Sequence, residues 1–476
     1  MSIAHQMAQG DLGQFFEEGR LADDFPRLII ANIDQITPEL RKEVLTRDLE
    51  AKTGVFDTHP ATRDRIENAR RENSRGIYRR PAVPAGADLA HPGDAQRAAA
   101  AAQKPAPGLL EEGASSQGDL PASVLFQDFS GLSRAITREF YQEVLEREVV
   151  PEELHRVDDL RERQSVDLEA GRALDRYFQK QASVLRLLPF AADLLEPPAS
   201  GKATSAALQQ ARQEMLAQLN VYREAFQRYD EADTRMLHAL RAAALIGTGA
   251  KVNSELNLEQ NSAIKAKSAL RQARQSMEQL AGELEPFELA AATRFGAALK
   301  LTGVAKVRER LVAEGAPVAT CQGFVDALLL LQSLQDPLGP LREQIPVAQT
   351  LCAALADNEQ CQPLFQTIQS TADTIHDQLL SLRDRLGDAP YPFEHVKAGI
   401  LLREFVFSEG EAGEVPEAEE IGQVFSTAEQ AVERLLMLRI RLTARLAHLA
   451  ERVEKLLGME PLPDPPSEPA VPPDDE

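Results

Sequence analysis

Along residues 215–240 the apolar side chains Met215, Leu219, Tyr222, Phe226, Tyr229, Met236 and Leu240 return every three or four positions. Polar and charged residues fill the intervals, and the series has one gap, at Asp233. A helix turns once in about 3.6 residues, so this spacing lines the side chains along one stripe of a long helix. The pattern recurs near the end of the chain in Val432, Leu435, Leu442, Leu446, Leu449, Val453 and Leu456. Gly458 stops that helix, because glycine accepts the left-handed backbone of a helix end, and Pro461 and Pro463 cannot continue it. Residues 263–284 and 367–386 read as two further amphipathic helices. Such stripes have to be covered. The turn signals between them predict an antiparallel bundle packed on itself, with pairing of the seams to a partner chain, as in a coiled coil, as the alternative.

Composition points the same way. The chain of 476 residues is 43% hydrophobic but only 5% aromatic, with no Trp. Ala, Leu, Glu, Gln and Arg recur throughout, and these lose little rotamer freedom in a helix. The expected fold class is therefore all-α. Pro81, Pro84, Pro92, Pro105, Pro107 and the alanine run 98–102 mark residues 81–121 as a disordered linker between a first block, 1–80, and a helical bundle domain, 122–460. Residues 461–476 hold seven prolines and five acids, which predicts a disordered tail.

Charge narrows the partners. With 52 basic and 74 acidic side chains the formal net charge is −22. That field repels phosphate backbones and anionic headgroups, so no nucleic-acid partner is expected. Cys321, Cys352 and Cys361 are odd in number and contain no C-x-x-C pair, so a disulfide framework and a zinc ribbon are both disfavoured; a reducing compartment fits. Residues 1–10 lack the apolar core of a secretory signal, and the most apolar run, 324–334, is about half of what spans a bilayer. As written, the chain is expected to be cytoplasmic.

The sharpest local motif is Phe56-Asp57-Thr58-His59-Pro60-Ala61-Thr62-Arg63-Asp64-Arg65-Ile66. By local physics Thr58 or His59 caps a helix and Pro60 occupies its first turn, where a missing N–H costs nothing. One histidine cannot make a zinc site, which needs three or four ligands.

Thr58-His59-Pro60 followed by Arg65-Ile66 resembles the signature that closes the catalytic domain of HtpX-like and CAAX-prenyl-protease-like zinc metallopeptidases, family forty-eight of the metallopeptidase classification. The residues leading into it, Glu18-Gly19-Arg20-Leu21, Asp24-Phe25-Pro26 and Thr53-Gly54-Val55-Phe56, also resemble that family. The chain is similar to a bacterial, membrane-anchored branch with long helical C-terminal extensions, through Leu125-Phe126-Gln127-Asp128-Phe129, Pro390-Tyr391-Pro392-Phe393-Glu394-His395 and the ending 456–463. The resemblance implies that residues 1–80 are a remnant of a helical zincin domain and that the rest is its extension. It implies zinc as the cofactor of the intact family, held by H-E-x-x-H on one helix and a Glu on a later one, with the motif's Glu activating water.

The departure is as informative as the match. No H-E-x-x-H occurs, and no two of the eight histidines lie four apart. In the family those helices and the membrane spans come before the region where this chain begins. No catalytic, cofactor-binding or metal-ligating residue is therefore carried over. Thr58, His59, Pro60 and Arg65 stand as family-signature residues, no cofactor is expected in this chain, and membrane attachment would come only through a preceding part.

Other patterns are weaker. Gly247-Thr248-Gly249-Ala250-Lys251 lacks the spacing of a phosphate loop and reads as a helix-to-helix turn. His376-Asp377 and Glu394-His395 are adjacent pairs that suit surface or capping roles. The leading expectation is a non-catalytic C-terminal part of a membrane-associated zinc metalloendopeptidase, inactive alone, whose bundle positions substrate or partner proteins. The second is a helical scaffold or adaptor acting through its amphipathic faces. An enzyme using carboxylates has no motif behind it. The first block, without the helices it would normally meet, is expected to leave Phe15, Phe16, Phe25, Leu28 and Ile29 with unpaired apolar surface.

Overall fold

The computed structural model describes residues 2–33, 35–36, 41–42, 46, 67–68, 71–72, 128–183, 186, 188–250, 262–358, 360–407 and 413–465. Among them the fold is all-α, with twelve α-helices and one pair of two-residue strands. The linker 81–121 lies outside the described residues. The chain forms two compact units, Met1–Arg161 and Glu162–Glu476.

In the first unit, α1 (Ser2–Glu17) and α2 (Phe25–Ile33) flank β1 (Leu21–Ala22), which runs parallel to β2 (Leu154–His155) with Leu21 opposite Leu154. Asp128 caps α3 (Phe129–Leu145), accepting from the Gly131 N–H at 2.8 Å. α3 packs on α2, and α4 (Val157–Phe178) begins in this unit. Asp24 joins the pieces: one carboxylate oxygen accepts from the Arg27 N–H at 2.9 Å and from the Ser133 hydroxyl at 2.5 Å. The Thr137 hydroxyl accepts from the Phe25 N–H at 2.9 Å, and the Phe25 and Phe140 rings stack at 5.4 Å.

These contacts correct one expectation. Phe15, Phe25 and Leu28 are buried and Ile29 is half-buried, because α3 and the first turn of α4 supply the cover; Phe16 alone of the five is exposed, at 49%. The unit also extends to Arg161, taking in residues 129–161 that the sequence division assigned to the second block.

The second unit is built on a long helical hairpin. Ser200 caps α5 (Gly201–Gly247) and Ser262 caps α6 (Ala263–Leu301). At about 1.5 Å per residue the 47 residues of α5 extend roughly 70 Å. The pair is antiparallel: Tyr222 stacks on Phe287 at 4.2 Å, and further along Arg228 donates to Glu283 at 2.5 Å. Buried alanines on both helices, among them Ala211, Ala225, Ala232, Ala291 and Ala298, let the backbones approach closely. The predicted helix 263–284 runs on through Pro286 to Leu301. Proline inside a helix costs about 3 kcal/mol. Burial of Phe287, Phe295, Leu299 and Leu301 immediately beyond it offsets that cost at about 1.5–3 kcal/mol per large side chain.

The remaining helices are α7 (Ala305–Ala313), α8 (Cys321–Ser333), α9 (Gln335–Leu355), α10 (Gln362–Leu386), α11 (Leu402–Val406) and α12 (Ile421–Leu456). The apolar run 324–334 falls in α8 as a core helix, with Phe324, Val325, Leu328 and Leu331 buried. α9 and α10 form a second antiparallel pair, and α12 packs against α6 through α11. Between α10 and α11 the Tyr391 N–H donates to the Ile400 carbonyl at 3.0 Å, and the Tyr391 ring stacks on Phe405 at 4.3 Å.

α12 ends as the sequence predicts. Gly458 takes φ +80°, and the Met459 and Gly458 N–H groups reach back to the Glu454 and Lys455 carbonyls at 3.0 Å. The tail differs from its expectation in its first residues. Leu462 is buried against the bundle, and the Gln179 side-chain amide donates to the Pro463 carbonyl at 3.0 Å. Residues 466–476 lie outside the described residues. Among those described, no helix is long and apolar enough to cross a membrane.

Candidate functional site

Thr58, His59, Pro60 and Arg65 fall outside the described residues, as do Thr53 to Phe56. Of the residues leading into that motif, Glu18 and Arg20 are buried and ion-paired with each other, and Asp24 and Phe25 start α2 as above. The dense chemistry of the described residues lies elsewhere, in the core of the second unit.

Arg294 on α6 sits among Ala290, Ala291, Ala297 and Ala298 and is 1% exposed. Its Nε and Nη2 donate to the two oxygens of Glu454 on α12, at 2.7 and 2.8 Å. Its Nη1 donates to the Tyr177 carbonyl at 2.6 Å, and the guanidinium lies 3.7 Å over the Tyr177 ring. Glu454, also 1% exposed, accepts a third bond from Arg212 on α5 at 2.8 Å, while Arg212 donates to the Glu460 carbonyl at 2.5 Å. One turn earlier on α12, Glu451 accepts both Nε and Nη2 of Arg176, at 2.9 and 2.7 Å. Five charged side chains thus tie α4, α5, α6 and α12 together and hold the segment after α12 in place.

Bidentate guanidinium–carboxylate bonds are short, directional and stronger than bonds between neutral groups, and here they engage both oxygens of Glu451 and of Glu454. Burial drives the Tyr177 hydroxyl pKa well above its ordinary value, so it holds its proton. The cluster fixes the geometry of the four helices it joins. Glu288 is likewise bound bidentately by Arg186 at 2.6 and 2.7 Å, whereas Asp233 on α5 meets Arg342 from α9 through one oxygen and leaves its Oδ1 buried without a partner among the described residues. Burial holds the Asp233 carboxyl above the usual carboxylate range, with Arg342 pulling the other way.

The predicted capping roles have local counterparts. His395 Nδ1 accepts from the Lys397 N–H at 3.0 Å, and Glu394 pairs with Arg163. Gly249, at φ +71°, follows the end of α5 in the turn predicted there. No group of three or more His, Cys, Asp or Glu side chains among the described residues is placed to hold a metal ion. A groove of about 520 Å³ lies beside α5 and α6, lined by Leu194, Ala207, Ala292 and Gly296, with Lys300 engaged by Asp193 at 2.5 Å. On α3, Leu132, Ile136 and Val144 are 44%, 50% and 60% exposed.

Sequence reasoning missed the ion cluster. A signal was present: Arg294 interrupts an alanine-rich run, and Glu451 and Glu454 sit between stripe residues of α12. Comparison with family models, with curated proteins and with solved structures gives no match.

Proposed function

We propose that this chain is a non-catalytic, C-terminal helical part of a membrane-associated zinc metalloendopeptidase of the HtpX-like and CAAX-prenyl-protease-like class. The observation that carries the reading is Thr58-His59-Pro60 with Arg65-Ile66, together with the residues that lead into it. The H-E-x-x-H that would bind zinc and activate water is not in the sequence, so proteolysis belongs to other helices of an intact member. The part played by residues 162–476 is to position substrate or partner proteins. A helix of roughly 70 Å cross-linked by buried ion pairs supports that role, because a stiff body holds what it binds at a fixed place.

Two measurements test it. The purified chain is expected to carry no stoichiometric zinc and to leave casein uncleaved; one zinc per chain overturns the reading. The in-frame DNA on the 5′ side is expected to encode H-E-x-x-H and apolar runs of about 20 residues. A stop codon without them also overturns it.

One observation favours a second reading, a helical scaffold or adaptor. Leu132, Ile136 and Val144 form an exposed apolar stripe on α3, the kind of surface that captures a helix. On that reading the chain self-associates or binds an amphipathic helix in solution. A monodisperse monomer in light scattering that also ignores such a helix rules it out.

A further inference from the structure

Beyond Gly458 the chain leaves α12, and residues 459–465 lie along the bundle as neither helix nor strand. Their burial repeats at every third position. Met459 is half-buried, Leu462 buried and Pro465 half-buried, while Glu460, Pro461, Pro463 and Asp464 are exposed. A polyproline II helix turns once in three residues, so one side of it presents residues 459, 462 and 465 together. The sequence prepares that backbone. Pro461, Pro463 and Pro465 fix their own φ at about −65° and hold Glu460, Leu462 and Asp464, which precede them, in the extended region.

The bundle meets this segment with donors. Arg212 Nη2 on α5 donates to the Glu460 carbonyl at 2.5 Å, and the Gln179 side-chain amide, just past α4, donates to the Pro463 carbonyl at 3.0 Å. Those carbonyls are three residues apart, again one turn of the same helix. Arg176 on α4 reaches the Asp464 carboxylate at 3.5 Å, and Leu462 enters the main core of the second unit. The groove is pre-formed, because Glu454 holds Arg212 and Glu451 holds Arg176 whether or not the segment is seated. The segment itself is held lightly. Leu462 is its one buried side chain, and the Asp464 side chain is 81% exposed. A surface stretch with so few buried contacts opens at low free energy. Side-chain donors for carbonyls, a seat for one aliphatic side chain and a cation at the rim recognise an extended proline segment by its chemistry, and none of them requires that segment to be joined to α12.

We propose that the groove at Arg176, Gln179 and Arg212 binds a polyproline II segment of a partner protein, a leucine between two prolines followed by an acid, and that residues 459–465 are its resident competitor. This deepens the partner-holding role of residues 162–476 and does not rest on the peptidase signature, so zinc content and casein cleavage leave its test unaffected. Fluorescence anisotropy tests it with a dye-labelled peptide of residues 458–465 and three full-length chains of parental helicity: the parent, Leu462→Ser, and the double variant Pro461→Gly, Pro463→Gly. Leu462→Ser removes the resident anchor. The double variant keeps the leucine and loosens the segment by giving it more freedom when released. Saturable one-to-one binding to Leu462→Ser is expected, at least about tenfold tighter than to the parent, where the tethered segment competes at an effective concentration of roughly millimolar. The double variant should fall between them. On Leu462→Ser, serine in place of the peptide's leucine should weaken binding about tenfold or more, and lysine in place of its aspartate about two- to fivefold. No saturable binding to either variant, equal affinity for parent and Leu462→Ser, or a serine peptide as good as the leucine one overturns the proposal. A dimeric parent made monomeric by the peptide would seat a second copy's segment in the groove and overturns the partner assignment.

Discussion

Replacing Glu454 by glutamine keeps the shape of the side chain and removes one charge from the centre of the second unit. Two cations then lose their counter-ion: Arg294, whose side chain is 1% exposed, and Arg212, whose side chain is 15% exposed. Breaking a buried pair from one side costs about 3–5 kcal/mol, because the remaining charge stays buried without compensation. Arg294 keeps its bond to the Tyr177 carbonyl and its seat over the Tyr177 ring, which places the expected loss near the lower end, about 3 kcal/mol. With a urea slope of about 3 kcal/mol/M, the midpoint should fall by about 1 M in an unfolding curve followed by far-ultraviolet circular dichroism. The control is Glu283→Gln, which breaks an ion pair with Arg228 whose side chains are 55% and 46% exposed. It should cost less than about 1 kcal/mol. The double variant Arg294→Met, Glu454→Leu should recover the part of the loss that falls on Arg294, since apolar residues of similar volume replace a buried pair at little net cost, while Arg212 stays without its carboxylate. A midpoint for Glu454→Gln within about 0.3 M of the parent would show that the cluster does not hold the bundle together.

Three further outcomes are expected. Phe295 is fully buried, 5.0 Å from the Phe190 ring and 5.7 Å from Phe178, so Phe295→Ala should cost about 3–5 kcal/mol by the same assay, and a loss under about 1 kcal/mol would contradict the packing. Burial, aided by Arg452, pushes the His448 imidazole below its ordinary 6.5, and its Nδ1 is buried without a partner. The folded state therefore prefers neutral His448: its contribution is complete above pH 6.5 and is lost as the pH falls through the lowered value. His448→Gln should accordingly flatten the decline of the urea midpoint between about pH 6.5 and 5, and parallel declines in variant and parent would contradict this assignment. Burial pushes the Cys321 thiol up to about 11, with its Sγ donating to the Pro317 carbonyl at 3.3 Å. Peptide mapping after iodoacetamide at pH 8 should find Cys352, which is exposed, labelled in the native chain and Cys321 only after unfolding; early labelling of Cys321 would show that α8 is not packed as described.

How much of this could be read from the chain alone varies with the element. The stripe from Met215 to Leu240 lies wholly within α5, and the one from Val432 to Leu456 within α12. Residues 367–386 fall inside α10, with Gly458 the stop of α12. The end of α6 was not legible, because Pro286 is a local stop signal overridden by burial beyond it. The ion cluster was not legible as a site, since Arg294 and Glu454 are 160 positions apart and their pairing depends on which helices become neighbours.

The hydrophobic period by itself determined that this protein is a set of long helices, because a repeat of three and four is written into neighbouring residues and needs no partner to be read. Tertiary structure decided what each buried charge meets. The gap at Asp233 is a buried carboxylate met by Arg342 from another helix. Tertiary structure likewise decided that residues 129–161 cover Phe15, Phe25 and Leu28, and that Leu462 packs where prolines and acids predicted no contact. The physical reason is the same in each case. A helix is stabilised by groups three and four residues apart, whereas the burial of a charge or an isolated apolar side chain is decided by whatever segment the fold brings against it.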